Sequence, residues 1–213
     1  MTGEGLRERK KRQTRQHISD VATGLFLERG FDAVTIADVA TAADVSVNTV
    51  YNYFGAKEDL FLDREDDAVE WVARAVRGRP AGESPAVAVL RTLRAEVVTV
   101  SPRMGLVDGF ERFMRVIEES PALRSRVFGM RRRAVDRLAA VLAEEAGEGA
   151  GPLPALVAGQ LGWIQAQVTE FIQAELVAGR TAAETSRAAL GLLDEIEGLL
   201  SDRLLEYGVR PAV

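Results

Sequence analysis

Residues 35–57 read TIADVATAADVSVNTVYNYFGAK, and their local grammar predicts two short helices with a tight corner between them. Thr35 precedes Ile36, Val39 and Ala40, an apolar set at helical spacing. Its hydroxyl suits an N-cap, because it accepts from the free N–H groups of a first turn. Asp38 sits where a capping-box acid belongs, and Val34 and Val39 occupy the two positions of a hydrophobic staple. The pattern repeats at Ser46, with Val45 and Val50 as the second staple. Only Ala42, Ala43, Asp44 and Val45 join the two helices, so the unit is a helix-turn-helix.

The second helix, Ser46 to about Tyr53, turns only Val50 and then Phe54 inward. Its remaining face carries Val47, Asn48, Thr49, Tyr51, Asn52 and Tyr53. An Asn amide pairs bidentately with adenine, and Val or Thr methyls pack on the thymine methyl. Tyr and Thr hydroxyls donate to phosphate. This face has no charge, so phosphate attraction is expected from elsewhere. Lys57 opens the next helix, where free N–H groups and an ammonium together favour an anion. Arg7, Arg9, Lys10, Lys11, Arg12 and Arg15 crowd the N-terminus; Arg9 to Arg15 are expected to face phosphate, and the first six residues read as a solvated tail. The expected DNA contacts are Thr35, Ser46, Val47, Asn48, Thr49, Tyr51, Asn52, Tyr53 and Lys57.

At Thr35, Val39, Ala40, Ala43, Val45, Ser46, Thr49, Val50, Tyr51, Tyr53, Phe54, Lys57, Glu58 and Leu60 the chain resembles the tetracycline-repressor (TetR) family of bacterial regulators. The strong match spans about a quarter of the chain. Asp44 stands where the family usually has Gly in the turn, and Asp tolerates the left-handed conformation better than most residues. Ala56 stands where Ser often precedes the lysine, which weakens the cap of the following helix. The resemblance implies a homodimer on a palindromic operator, because a two-fold pair presents two reading helices roughly 34–36 Å apart. It also implies repression relieved by a small molecule in the C-terminal domain, and a four-helix interface built from the last two helices of each subunit. Activation, or dual regulation, is the alternative within the same family; a helical ligand-binding protein without operator binding is the alternative outside it.

The 213 residues, 47% of them hydrophobic, suffice for a sizeable core. The net charge of -5 contrasts with the basic N-terminus, as expected of an acidic body with one DNA-facing end. With no cysteine, disulfides, thiol switches and thiolate metal sites are excluded. Neither a secretory h-region nor a run of membrane-spanning length is visible, so a soluble, cytoplasmic bacterial protein is expected, nucleoid-associated when bound to DNA. No GxSxG elbow, Walker A loop, HExxH or cysteine nucleophile is present, so neither an enzyme, a metal site nor a cofactor is expected.

The rest of the chain predicts an all-α protein of about nine helices: a helix-turn-helix domain over residues 1–57 and a ligand-binding and dimerisation domain over 58–213. Ile18, Val21, Ala22, Leu25 and Phe26 form the stripe of a first helix ended by Gly30. His17, the only histidine, reads as a surface residue. A fourth helix is expected from Lys57 to about Arg77. Ser84-Pro85, Ser101-Pro102 and Ser120-Pro121 each read as an N-cap followed by proline, predicting helices from near residues 85, 102 and 121. Residues 147–154, GEGAGPLP, read as a loop. Two long helices follow, about Leu153–Ala178 and Ala182–Tyr207, the second opened by a Thr181–Glu184 capping box. Their apolar arcs are wider than one core contact needs, which points to dimerisation. The candidate effector pocket is formed by Phe110, Phe113, Met114, Ile117, Phe128 and Trp163 with Gln167 as the polar contact; plain core is the alternative for each.

Overall fold

The computed structural model describes residues 5–211. Among these every regular element is helical: α1 (Leu6–Arg29), α2 (Ile36–Ala42), α3 (Val47–Tyr53), α4 (Glu58–Phe61), α5 (Glu65–Arg77), α6 (Pro85–Val98), a 3-10 turn (Pro102–Met104), α7 (Phe110–Glu119), α8 (Pro121–Ala146), α9 (Leu153–Val177), α10 (Ala182–Leu199) and α11 (Asp202–Leu205). Of the six residues expected as tail, 1–4 lie outside the described residues, while Gly5 and Leu6 already open α1.

The chain divides into two compact units. The first runs to Glu65 and adds Arg112–Arg126 from the middle of the sequence; the second comprises Asp66–Glu111 and the chain from Val127 onward. In the first, α1 lies against α2 and α4. Ile18, Ala22 and Phe26 of α1 are fully buried, as are Val39, Val50 and Leu60. Phe26 meets the ring of Phe31 at 4.9 Å and that of Phe61 at 5.8 Å. The added segment is tied in by the Phe113 ring stacked on Phe61 at 4.1 Å, by Ser120 Oγ donating to Asp32 at 3.1 Å, and by Arg126 donating to Asp59 at 2.8 Å and Glu65 at 2.5 Å.

The second unit is organised on α6, α9 and α10, which pack on one another around Leu93, Val97, Leu161, Ile164, Ile172 and Leu193. Ser84 and Thr181 cap α6 and α10 as expected. Ser101-Pro102 does not start a long helix. It makes a single 3-10 turn closed by left-handed Gly105, and the helix begins only at Phe110. The ring of Phe110 fills the space over Gly105, where an added Cβ would lie 2.6 Å from Cε1, so packing as well as φ requires glycine there.

Two expected helices are interrupted. The fourth is two helices, because Leu62 leaves helical dihedrals (φ -108, ψ 44). The break leaves Asp59 and Glu65 converging on Arg126, a partner distant in sequence. The last ends at Leu199, and Ser201 caps the separate α11 by accepting from Leu204 N.

Candidate nucleic-acid interface and effector cavity

The helix-turn-helix forms as its grammar dictates. Thr35 Oγ1 accepts from Asp38 N at 3.1 Å while Asp38 accepts from Thr35 N at 2.8 Å, closing the capping box on α2. The side-chain hydrogen bond from Thr35, then the backbone one, hold the Asp38 carboxyl below its ordinary range. Asp44 takes the turn at φ 54, the conformation for which the resemblance would supply glycine. Ser46 Oγ accepts from Thr49 N at 3.0 Å and meets Thr49 Oγ1 at 2.8 Å.

Val50 is the one buried residue of α3. Val47, Asn48, Tyr51 and Asn52 are exposed, Tyr51 at 56%, and Thr49 and Tyr53 are half-buried. Asn48, Tyr51 and Asn52 stand at i, i+3 and i+4, so their polar groups share one face. This surface is uncharged and long enough to enter a major groove. The structure therefore brings Val47, Asn48, Tyr51 and Asn52 together, with Thr35, Ser46, Thr49 and Tyr53 at their margins in half-buried or cap roles.

Lys57 departs from expectation. Its ammonium turns inward, donates to Phe31 O at 2.5 Å and lies 4.3 Å from the Phe31 ring centre. Desolvation lowers its pKa, against the pull of Asp32, Glu58 and Asp38. The helix it opens has four residues and begins with Glu58 and Asp59, so the anchor for an anion predicted there is absent from this geometry. Arg15 departs similarly: its guanidinium donates to Tyr53 O and lies 4.4 Å from the Phe54 ring centre. Arg7, Arg9, Lys10 and Lys11 remain exposed on the first turns of α1.

The residues expected to line one effector pocket are divided between the two units. Phe113, Met114 and Ile117 belong to the first unit, Phe113 stacked on Phe61 and Ile117 buried. Phe110 packs against the core of the second unit. Phe128 and Trp163 are 75% and 62% exposed. Gln167 donates to Glu170 at 3.2 Å. The helical period marked these residues as inward, but a period does not say which of two units lies inside.

A different cavity, about 170 Å³, lies between α5, the 3-10 turn, α8 and α9 of the second unit. Trp71, Met104, Met130 and Val135 form apolar walls, and Arg103, Arg131, Gln165 and Thr169 contribute polar groups. Arg103 lies 5.6 Å from the Trp71 ring centre and is held by Asp67 and, at 3.3 Å, Glu96. Arg131 is paired with Glu170 at 2.9 Å. In the sequence Trp71 and Met130 are only apolar residues at helical spacing, and nothing local reports that Arg103, far from Met130 in the chain, lines the same space. Trp163 instead borders a shallow apolar groove with Leu156, Gly159, Leu200 and Leu204.

An architecture that is all-helical among the described residues and presents a capped, exposed and uncharged helix after a tight turn is that of a helix-turn-helix protein. Residues 18–63 match the family model of bacterial regulatory proteins, tetR family. The chain is 32% identical over 150 residues to the HTH-type transcriptional regulator TcmR of Streptomyces glaucescens, covering 68% of this chain and 66% of TcmR. It is 39% identical over 56 residues to the regulator AcrR of Shigella flexneri, covering 26% of each. The matched region thus spans about two thirds of the first relative's length and about a quarter of the second's. Among solved structures, NalD of Pseudomonas aeruginosa, the secondary repressor of an efflux pump, superposes with TM-score 0.54 over 91% of this chain and 99% of NalD at 17% identity. A SmeT–triclosan complex superposes with TM-score 0.56 over 94% of this chain and 98% of SmeT at 18% identity. The chain belongs to the tetR family, and its relatives by sequence are transcriptional regulators rather than enzymes.

Proposed function

We propose that the protein is a ligand-responsive repressor that binds a palindromic operator as a homodimer and leaves it when a small molecule occupies the second unit. The observation that carries this reading is the bare face of Asn48, Tyr51 and Asn52 on a helix whose start is fixed by Ser46. One seven-residue helix reads few base pairs, so two copies are required for a unique site. The exposed Leu156, Trp163 and Leu199 on α9 and α10 support pairing through these helices. The cavity beside Trp71 supports an effector that stacks on an indole and offers acceptors to Arg103. Its coupling route is covalent: α8 lines the cavity at Met130, while its first turns, Pro121–Arg126, belong to the reading unit. A ligand that binds one setting of α8 better shifts the population toward it.

The experiment is a footprint on the DNA upstream of the protein's own coding sequence, with the mass of the complex measured alongside. Protection of an inverted repeat by two subunits is expected, falling steeply with salt. Sequence-independent protection, or a single subunit on a single half-site, overturns the reading.

A further inference from the structure

We propose that Arg15 is a positioning residue for sequence reading: from α1 it closes the C-terminal end of the reading helix α3, and it does not serve as a phosphate contact. Three observations carry this. The last carbonyls of any helix lack intrahelical partners and are best met by a cation. Neither α2 nor α3 has a basic residue in its last turn. In both cases α1 supplies the missing donor. The Arg15 guanidinium donates to Tyr53 O, the final carbonyl of α3, while its Cζ lies 4.4 Å from the Phe54 ring centre. Two residues along, His17 Nε2 lies 3.3 Å from Ala43 O, at the end of α2 where the chain enters the turn.

The need for such a hold follows from how little else fixes α3. A seven-residue helix is not stable alone. Val50 is its single buried side chain, with Thr49 and Tyr53 half-buried, so few contacts of its own hold it. Ser46 fixes the front end and Arg15 the rear, so the two ends together set the angle at which Asn48 and Asn52 meet base edges. Releasing the rear end leaves the exposed Arg7, Arg9, Lys10 and Lys11, and with them the encounter with DNA, in place but blurs the aim. Discrimination between sequences, rather than overall attraction, is what Arg15 controls.

The test uses the full-length protein and two duplexes: one selected by the wild-type protein from a randomised library, and one scrambled to the same composition. Affinity for each is measured across a salt series for wild type, Arg15→Ala and Arg15→Lys, with melting and circular dichroism confirming that each variant is folded. Both variants are expected to lose about tenfold in the ratio of selected to scrambled binding, the worth of one misread base pair. The salt slope and the affinity for the scrambled duplex should stay at wild-type values. A lysine keeps the charge but cannot lie flat on Phe54 while donating to Tyr53, so it should not rescue. The proposal is overturned if Arg15→Ala lowers the salt slope by about one and weakens both duplexes equally while Arg15→Lys behaves as wild type, the signature of a phosphate contact. It is equally overturned if folded Arg15→Ala retains the full selected-to-scrambled ratio. Arg15→Lys, which keeps the aliphatic stem and the charge, decides the matter if the alanine variant does not fold.

Discussion

The ammonium nitrogen of Lys57 lies 2.5 Å from the carbonyl oxygen of Phe31 and 4.3 Å from the centre of the same residue's ring. One lysine thus closes the carbonyl just after α1 and caps an aromatic face in the core of the reading unit. Replacing it with methionine keeps the stem but leaves the carbonyl only the long bond from Val34 N, at 3.4 Å. We expect Lys57→Met to cost about 1–3 kcal/mol of stability, the range for a charge-assisted hydrogen bond, read as a lower melting temperature. The salt slope of DNA binding should not change. A slope reduced by about one, with stability intact, would restore the phosphate role.

Much of the reading unit was legible because its signals are local. Thr35 with Asp38, Ser46 and the left-handed Asp44 each act within three residues, and each is found in place. The inward turn of Lys57 and Arg15 was not legible, since their partners, Phe31 and Tyr53, lie 26 and 38 residues away. The division of the effector candidates between two units was not legible either. Phe113 and Ile117 sit at proper inward positions, but their helix is divided between two units, and no periodicity reports that. Gly105, left-handed under the Phe110 ring, likewise turned a legible Ser-Pro cap into a single turn.

Arg79, with its side chain 2% exposed, donates from all three guanidinium nitrogens: to Glu145 at 3.0 and 2.6 Å, to Val76 O, to Glu83 O and to Gly208 O. Arg210 adds a further bond to Glu145 at 3.1 Å. Burial pushes the Glu145 carboxyl up, but Arg79 and then Arg210 outweigh it and leave its pKa below the ordinary value. A carboxylate depressed in the folded state stabilises above its unfolded pKa, near 4.3, and loses that contribution as pH falls through the lower folded value. The glutamine variant cannot titrate. Glu145→Gln is therefore expected to lower stability at neutral pH and to flatten the acid limb of a stability–pH curve below about pH 4.5. Arg79→Met, which leaves the carboxylate to Arg210 alone and removes a buried set of hydrogen bonds, should cost about 1–3 kcal/mol. A wild-type acid limb in Glu145→Gln would show that the pair does not govern acid sensitivity.

Asn48 stands exposed on the front of α3. If it reads an adenine, Asn48→Ala removes a bidentate pair and relaxes the preference at one base-pair position of each half-site by about 1–3 kcal/mol. Selection from a library randomised at each position reads this directly. A uniform loss at every position would place Asn48 on the backbone instead.

Trp163 offers an indole 62% exposed beside Leu156, Gly159 and Leu200. A large aromatic is expensive to leave in water, and a second copy of this groove would cover it. Trp163→Glu buries a charge in any such interface, so the variant should sediment as a monomer at concentrations where the wild type is dimeric, and should lose operator binding with its fold intact. A dimer that survives the substitution places the interface elsewhere.

Met130 borders the cavity near Trp71, and the cavity's volume of about 170 Å³ is far below what drug-sized ligands occupy. The effector is therefore small or enters as α8 shifts. A tryptophan at position 130 would occupy part of that space. If the cavity is the effector site, Met130→Trp should bind operator as the wild type does but resist release by a ligand that frees the wild-type protein. The side chain would hold the site closed without making the contacts that favour the released setting of α8. Release by the same ligand at an unchanged concentration would move the effector site away from Trp71. Constitutive release would show instead that filling this cavity is itself the signal, with the added ring substituting for the ligand.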